Sequence, residues 1–180
     1  TKYKVETNLE KGEHTFLIQK ATEFSQNPRY EITGIAFEGS PAGKKPYESD
    51  KRIEFYGDSI TSGSGNLVPN GSNEVAWKAQ NGCQTYASFT AQALGADYAV
   101  ASASGYGIIG GWNNFVNKLS TYSEYTLVDE KTPWSRVDYD ADLIVINMGT
   151  NDHHRDGNNL DVESYTKACG DLVEKMRSEN

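Results

Sequence analysis

Arg52-Ile53-Glu54-Phe55-Tyr56-Gly57-Asp58-Ser59-Ile60-Thr61 is the stretch on which the fold turns: a strand, ended by a glycine turn that carries a serine. Downstream of it, helix and strand signals alternate. Residues 83–94 fit a helix, with Tyr86, Phe89, Ala93 and Leu94 at helical spacing and Gly95 placed as its C-cap. Residues 98–101 form a short second strand that ends at Ser102-Ala103-Ser104-Gly105, and Phe115, Leu119 and Tyr122 mark a short helix. Leu143-Ile144-Val145-Ile146 is apolar throughout, the pattern of a central parallel strand covered on both faces. Val162, Tyr165, Cys169, Leu172 and Met176 then make one apolar helical stripe, with Asp161 as the candidate N-cap. Strands alternating with helices imply an α/β fold with a parallel sheet, and such sheets bind ligands beyond the carboxyl ends of their strands.

Upstream the texture is different. Residues 2–7 alternate polar and apolar, the period of a half-buried strand. Residues 14–21, with Phe16, Leu17 and Ile18, and residues 30–37, with Ile32, Ile35 and Phe37, read as two more strands. Pro41, Gly43, Pro46 and the charged residues 48–52 read as a linker. The expected organisation is therefore a partial β-sandwich or jelly-roll over 1–40, a linker over 41–51, and an α/β domain over 52–180. Three strands are few for either sheet, so the chain is expected to be incomplete at both ends.

Composition narrows the function. Seventeen basic against 25 acidic residues give a formal net charge of −8, which argues against nucleic acid and against anionic lipid as partners. No run of 18 apolar residues exists to span a membrane. Cys83 and Cys169 form no Cys-x-x-Cys pair; they read either as one disulfide or as two buried thiols. Asn70-Gly71-Ser72 is a glycosylation sequon in a polar loop and permits an extracellular setting.

Three segments stand at strand ends, where a site belongs. Gly57-Asp58-Ser59-Ile60-Thr61 puts a serine on a sharp turn at the head of a helix, a position that suits a nucleophile and equally suits a helix cap. It lacks the spacing and the lysine of a phosphate-binding P-loop. Ser104-Gly105-Tyr106-Gly107 lets backbone approach a ligand closely, as an oxyanion-hole amide must, and alone reads equally as a plain turn. Gly149-Thr150-Asn151-Asp152 offers a neutral amide donor, with Asp152 free to cap or orient neighbours. Together they supply one nucleophile and two kinds of neutral donor, the set that acyl transfer through a tetrahedral intermediate requires.

These three blocks, in this order and spacing, resemble those of the SGNH, or GDSL-type, hydrolases over about residues 52–178. With the β leader, His14-Thr15-Phe16-Leu17-Ile18-Gln19-Lys20 and Gly34-Ile35-Ala36-Phe37, the chain is similar to carbohydrate esterase family 2. Members of that family join a jelly-roll to an SGNH domain and deacetylate plant polysaccharides. The resemblance implies a secreted esterase acting on acetylated xylan or hemicellulose through an acetyl-serine intermediate, without metal or cofactor. Ser59 would be the nucleophile; its amide, the Gly105 amide and the Asn151 side chain would form the oxyanion hole, with Gly105 preferred to Gly107. Asp58 and Asp152 would hold geometry.

The family's general base, a histidine in a later Asp-x-x-His-type block, has no match in residues 1–180, and the expectation is that a missing or separate carboxyl-terminal segment supplies it. His14 reads as structural. His153 and His154 read as solvated loop residues at the cleft mouth, with a substitute base, or a metal pair with Asp152 and Asp156, as the alternatives. Trp77, Trp112 and Tyr106 are open between sugar platform and packing, and Trp134, read as preceding a strand, is assigned to the core. The rival functions are a lipid or thioester hydrolase on the same fold and a non-catalytic carbohydrate-binding module.

Overall fold

The computed structural model describes residues 9–23, 32–36, 39–40, 49–69, 79–112, 118–121, 123–127, 130–154 and 160–179. Three parallel strands, β1 (Arg52–Gly57), β2 (Asp97–Ser102) and β5 (Leu143–Asn147), form a sheet in the order β2-β1-β5. Between β2 and β5 an antiparallel pair, β3 (Tyr125–Leu127) and β4 (Glu130–Pro133), forms a separate small ribbon. The helices are α1 (Ser59–Ser62), α2 (Tyr86–Leu94), α3 (Arg136–Tyr139), α4 (Thr150–His153) and α5 (Val162–Ser178). Among the described residues, no helix is long and apolar enough to cross a membrane.

Side chains alternate across a strand, so β1 feeds two cores. Ile53 and Phe55 point to one face, where they pack with Ala87 of α2 and Ala96, and where Val145 of β5 joins them. Phe55 is only 1% exposed and is worth about 2–3 kcal/mol of burial. Tyr56 points to the other face and packs with Ala103, Leu119, and Leu172 and Met176 of α5; Ile144 and Ile146 of β5 lie against this cluster. The expected apolar stripe of α5 is thus the one that covers the sheet, through its carboxyl-terminal half, and the Asp161 side chain caps the helix by accepting from the Ser164 amide. α2 starts at a Thr85–Ser88 capping box and ends at Gly95 as read from sequence, its expected first turn (Gly82–Gln84) being a separate 3-10 turn.

Three expectations change. β1 lies between the other two strands and β5 at an edge of the described sheet, the reverse of what the wholly apolar 143–146 suggests. Apolarity of side chains reports what covers the two faces, whereas the place of a strand in its sheet is set by backbone ladders; Leu143 is 48% exposed. Residues 14–21 and 32–36 form no strand: no ladder partner runs beside them among the described residues, and Phe16, Leu17 and Ile18 stand exposed. Trp134 follows β4 rather than preceding a strand, and its indole Nε1 donates to Glu54 at 2.6 Å. Of the two readings open for the cysteines, the structure gives thiols: Cys83 and Cys169 are free and half-buried. The strand read at 2–7, the sequon, Trp77, Phe115, Tyr122 and Asp156 lie outside the described residues.

The polar residue of β1 was silent in the sequence. Glu54, 1% exposed, accepts from the Tyr56 hydroxyl at 2.8 Å and faces the Arg136 guanidinium, whose Nε is 3.7 Å away. Arg136 also donates to the Tyr56 oxygen at 3.1 Å, to the Ser123 carbonyl and to Glu179 at the end of α5. A buried carboxylate is tolerated because the Arg136 cation faces it and hydroxyl and indole donors bond to it. The network ties β1, α3 and α5 together on the face away from α2.

Candidate active site

Register brings the three segments together. Gly57 pairs with Ser102 on one side and Asn147 on the other, so β1, β2 and β5 end at one level. The chain leaves that edge as Asp58-Ser59, as Ala103-Ser104-Gly105 and as Met148-Gly149-Thr150-Asn151.

Asp58 is the N-cap of α1, with Oδ1 accepting from the Ile60 amide at 2.9 Å. Its other oxygen accepts from Asn151 Nδ2 at 3.3 Å, and the same Nδ2 donates to the Tyr106 carbonyl at 2.7 Å. One buried amide group, on a residue 4% exposed, therefore joins all three segments. Burial pushes the Asp58 carboxyl above its usual range; the Ile60 amide and Asp58's own amide oppose the rise, and nearby Asp152 adds to it.

Asp152 holds the second segment from beneath. Its Oδ2 accepts from the Ile108 amide at 2.9 Å, and Oδ1 from the Ile109 amide at 2.7 Å and the Gly110 amide at 3.3 Å. Tyr165 of α5 steadies the third by donating its hydroxyl to the Met148 carbonyl at 3.1 Å. That ring fills the space beside Gly149, where a Cβ would sit 2.8 Å from the hydroxyl. Burial, followed by Cys169 and Asp152, pushes the Tyr165 hydroxyl up to about 12.

Against this hydrogen-bonded frame, three groups stand open. The Ser59 amide, at the first position of α1, and the Gly105 amide make no hydrogen bond among the described residues, and neither does the Ser59 hydroxyl. Open N–H groups beside a nucleophilic oxygen can serve charge that develops on a substrate.

Glu23 was not foreseen. It is 8% exposed, and its Oε2 accepts from the Ser104 amide at 2.7 Å and lies 3.3 Å from the Ser62 hydroxyl. Its partner is 81 residues away, so no local pattern announces it. Tyr165 was legible only as part of an apolar stripe.

The histidines separate cleanly. His14 is exposed and its ring is bonded to the Glu10 carbonyl. His153 and His154 are exposed at the end of α4, with the His154 ring 4.8 Å from that of Trp112. Trp112 is 43% exposed, and its amide donates to the Gly105 carbonyl at 2.9 Å, so this indole borders the second segment. Among the described residues no group of three or more His, Cys, Asp and Glu is placed to hold a metal. A hollow lined by Glu54, Tyr56, Ala101, Ser123 and Trp134 contains none of the strand-end residues.

Comparison with known proteins bears on this arrangement. Residues 55–180 match the model of the GDSL-like lipase/acylhydrolase family. An acetylxylan esterase/glucomannan deacetylase of Cellvibrio japonicus is 34% identical over 158 residues, 83% of this chain and 42% of that protein. The cellulase/esterase CelE of Acetivibrio thermocellus is 28% identical over 175 residues, 97% of this chain and 21% of that protein. Among solved structures, a family two carbohydrate esterase from Clostridium thermocellum in complex with cellohexaose aligns with a TM-score of 0.69 at 28% identity, covering 76% of this chain and 42% of that one. The chain thus spans less than half the length of each of these relatives.

Proposed function

The chain belongs to the GDSL-like lipase/acylhydrolase family, and from that membership we propose that it carries the nucleophile and oxyanion hole of a secreted serine esterase that removes O-acetyl groups from xylan or a related plant polysaccharide. The Ser59 oxygen adds to the acetyl carbonyl carbon as its proton passes to a general base. The oxyanion is bound by the Ser59 and Gly105 amides and by Asn151 Nδ2, whose longer contact, to Asp58, gives way. Collapse expels the sugar oxygen, which takes the proton from the base and leaves acetyl-serine. Water then adds with the base's help, acetate departs, and Ser59 regains its proton. Asp58 and Asp152 hold geometry, and the base is a histidine on a segment outside residues 1–180. Residues 1–40 belong to a β module, joined by 41–51 to the hydrolase domain over 52–180.

The observation that carries this reading is the Asn151 amide, bonded at once to the first and second segments, beside two backbone amides without partners among the described residues. The named substrates of the relatives give the substrate class. A stabilising donor removed from an oxyanion hole costs about 3–4 kcal/mol in the transition state. The test is acetate release by the full-length protein from acetylated xylan and glucomannan. Ser59→Ala is expected to abolish it and Asn151→Ala to reduce turnover by hundreds-fold or more. Release indifferent to Ser59→Ala overturns the proposal, and a preference for long acyl chains or thioesters replaces it with the lipid or thioester reading. Because one similar structure is a complex with cellohexaose, glucan binding that survives Ser59→Ala with no acetate released would establish a binding module instead.

A further inference from the structure

Glu23 lies outside the α/β domain in sequence, yet its carboxylate is buried against the segment that bears Gly105. The segment around it is docked by backbone as well: the Glu23 amide donates to Gln80 Oε1 at 2.8 Å, and the Ala21 carbonyl accepts from the Gly82 amide at 2.6 Å. Besides the Asn151 bond to the Tyr106 carbonyl, two further anchors of the Ser104–Tyr106 turn are clear. The Tyr106 amide closes on the Ala103 carbonyl at 3.3 Å, and the Gly105 carbonyl accepts from Trp112. Between them, the peptide that enters Gly105 is set by the orientation of Ser104. The hydroxyl of Ser104 is buried with no partner among the described residues, so it does not fix the turn. The amide of Ser104 does, through the charge-assisted bond to Glu23 at 2.7 Å. Gly105 itself sits at φ +81 with open space beside it, so packing against its own side does not restrain it.

We propose that Glu23 is a positioning residue for the oxyanion hole: it clamps the Ser104 amide and thereby aims the Gly105 amide, coupling the leader segment to the catalytic edge of the sheet. The inference rests on the reading of Ser59, Gly105 and Asn151 as an acyl-transfer site. Aiming a donor matters for the transition state rather than for substrate binding, and a misplacement of about 1 Å can cost 100-fold in rate. The reach of the acceptor oxygen sets the aim and the charge only strengthens the bond, so glutamine can replace glutamate in large part whereas a shorter carboxylate cannot reach.

The experiment is steady-state kinetics of the full-length protein on 4-nitrophenyl acetate, with Ser59→Ala as the control and thermal melts to verify folding. Glu23→Ala and Glu23→Asp are expected to lower kcat by about 10- to 100-fold with KM little changed, and Glu23→Gln to recover most of the loss. Glu23→Asp serves alone should the alanine variant fail to fold. Equal kcat in the wild type and a folded Glu23→Asp, or a loss confined to KM, overturns the inference while leaving the esterase reading intact. A wild type with no Ser59-dependent rate overturns both.

Discussion

At the scale of single residues, the second segment holds two glycines that do different work. Gly105 is open, with the nearest atom to a Cβ placed there being Trp112 Cβ at 4.0 Å, but its φ of +81 is a conformation that side chains resist. Gly107 has no such φ; a Cβ there would lie 1.8 Å from the Gly110 carbonyl and 2.7 Å from the Asp152 carboxyl. Gly105→Ala is therefore expected to cost about 1–2 kcal/mol of stability from backbone strain alone. Gly107→Ala should cost more, about 3 kcal/mol or beyond, because it forces both a carbonyl and the carboxylate that gathers three amides to move. Urea unfolding of the two variants checks this, and a Gly107→Ala protein as stable as Gly105→Ala would contradict the close packing described. Sequence alone made both glycines candidates for one role, since a glycine required by crowding and one required by φ look the same in a string of letters. Ser59, Asn151 and Asp152 stand out as candidates because each belongs to a short block at a strand end. Glu23 was not, because its significance lies wholly in a contact across 81 residues.

At the scale of elements, the parallel sheet and its two covering helices could be read from periodicity, while the order of strands could not. The apolar run of β5 pointed to the middle of the sheet, and the middle is held instead by β1 with its buried glutamate. That glutamate is matched by the α3 helix, four residues long, which delivers Arg136 to Glu54 from 82 positions downstream. Such a pair is a poor source of net stability and a costly one to break, because the surviving charge is left in a dry environment. Arg136→Met should accordingly destabilise the fold by about 3–5 kcal/mol. Adding Glu54→Gln to it should return a substantial part of that loss, since the orphan charge is gone. A double-mutant cycle followed by denaturant unfolding measures the coupling. Additive losses would mean that Glu54 and Arg136 act independently, and that the network contributes through packing only.

Over the whole molecule, charge of one sign accumulates, to a formal net of −8 at pH 7, and a surplus of like charge works against the compact state. Asp58 adds a local term of the same sense. Its carboxyl is raised in the folded chain above the ordinary 3.8, chiefly by burial. In the window between 3.8 and the raised value the folded protein binds more protons than the unfolded one. Stability from this group is thus fully present below 3.8, declines as pH climbs through the folded value, and is level above it. The two terms separate by salt, because about 0.5 M sodium chloride screens exposed charge over more than a few ångströms and leaves a buried carboxyl largely untouched. Chemical unfolding of wild type and Asp58→Asn across that window, in high salt, isolates the local term as the difference between the two curves. The asparagine variant is expected to gain on the wild type steadily as pH rises from 3.8, then to run parallel to it. Curves that stay parallel throughout would show that Asp58 titrates at its ordinary value in the fold, and that the strand-end site bears no burial cost at the residue preceding its serine.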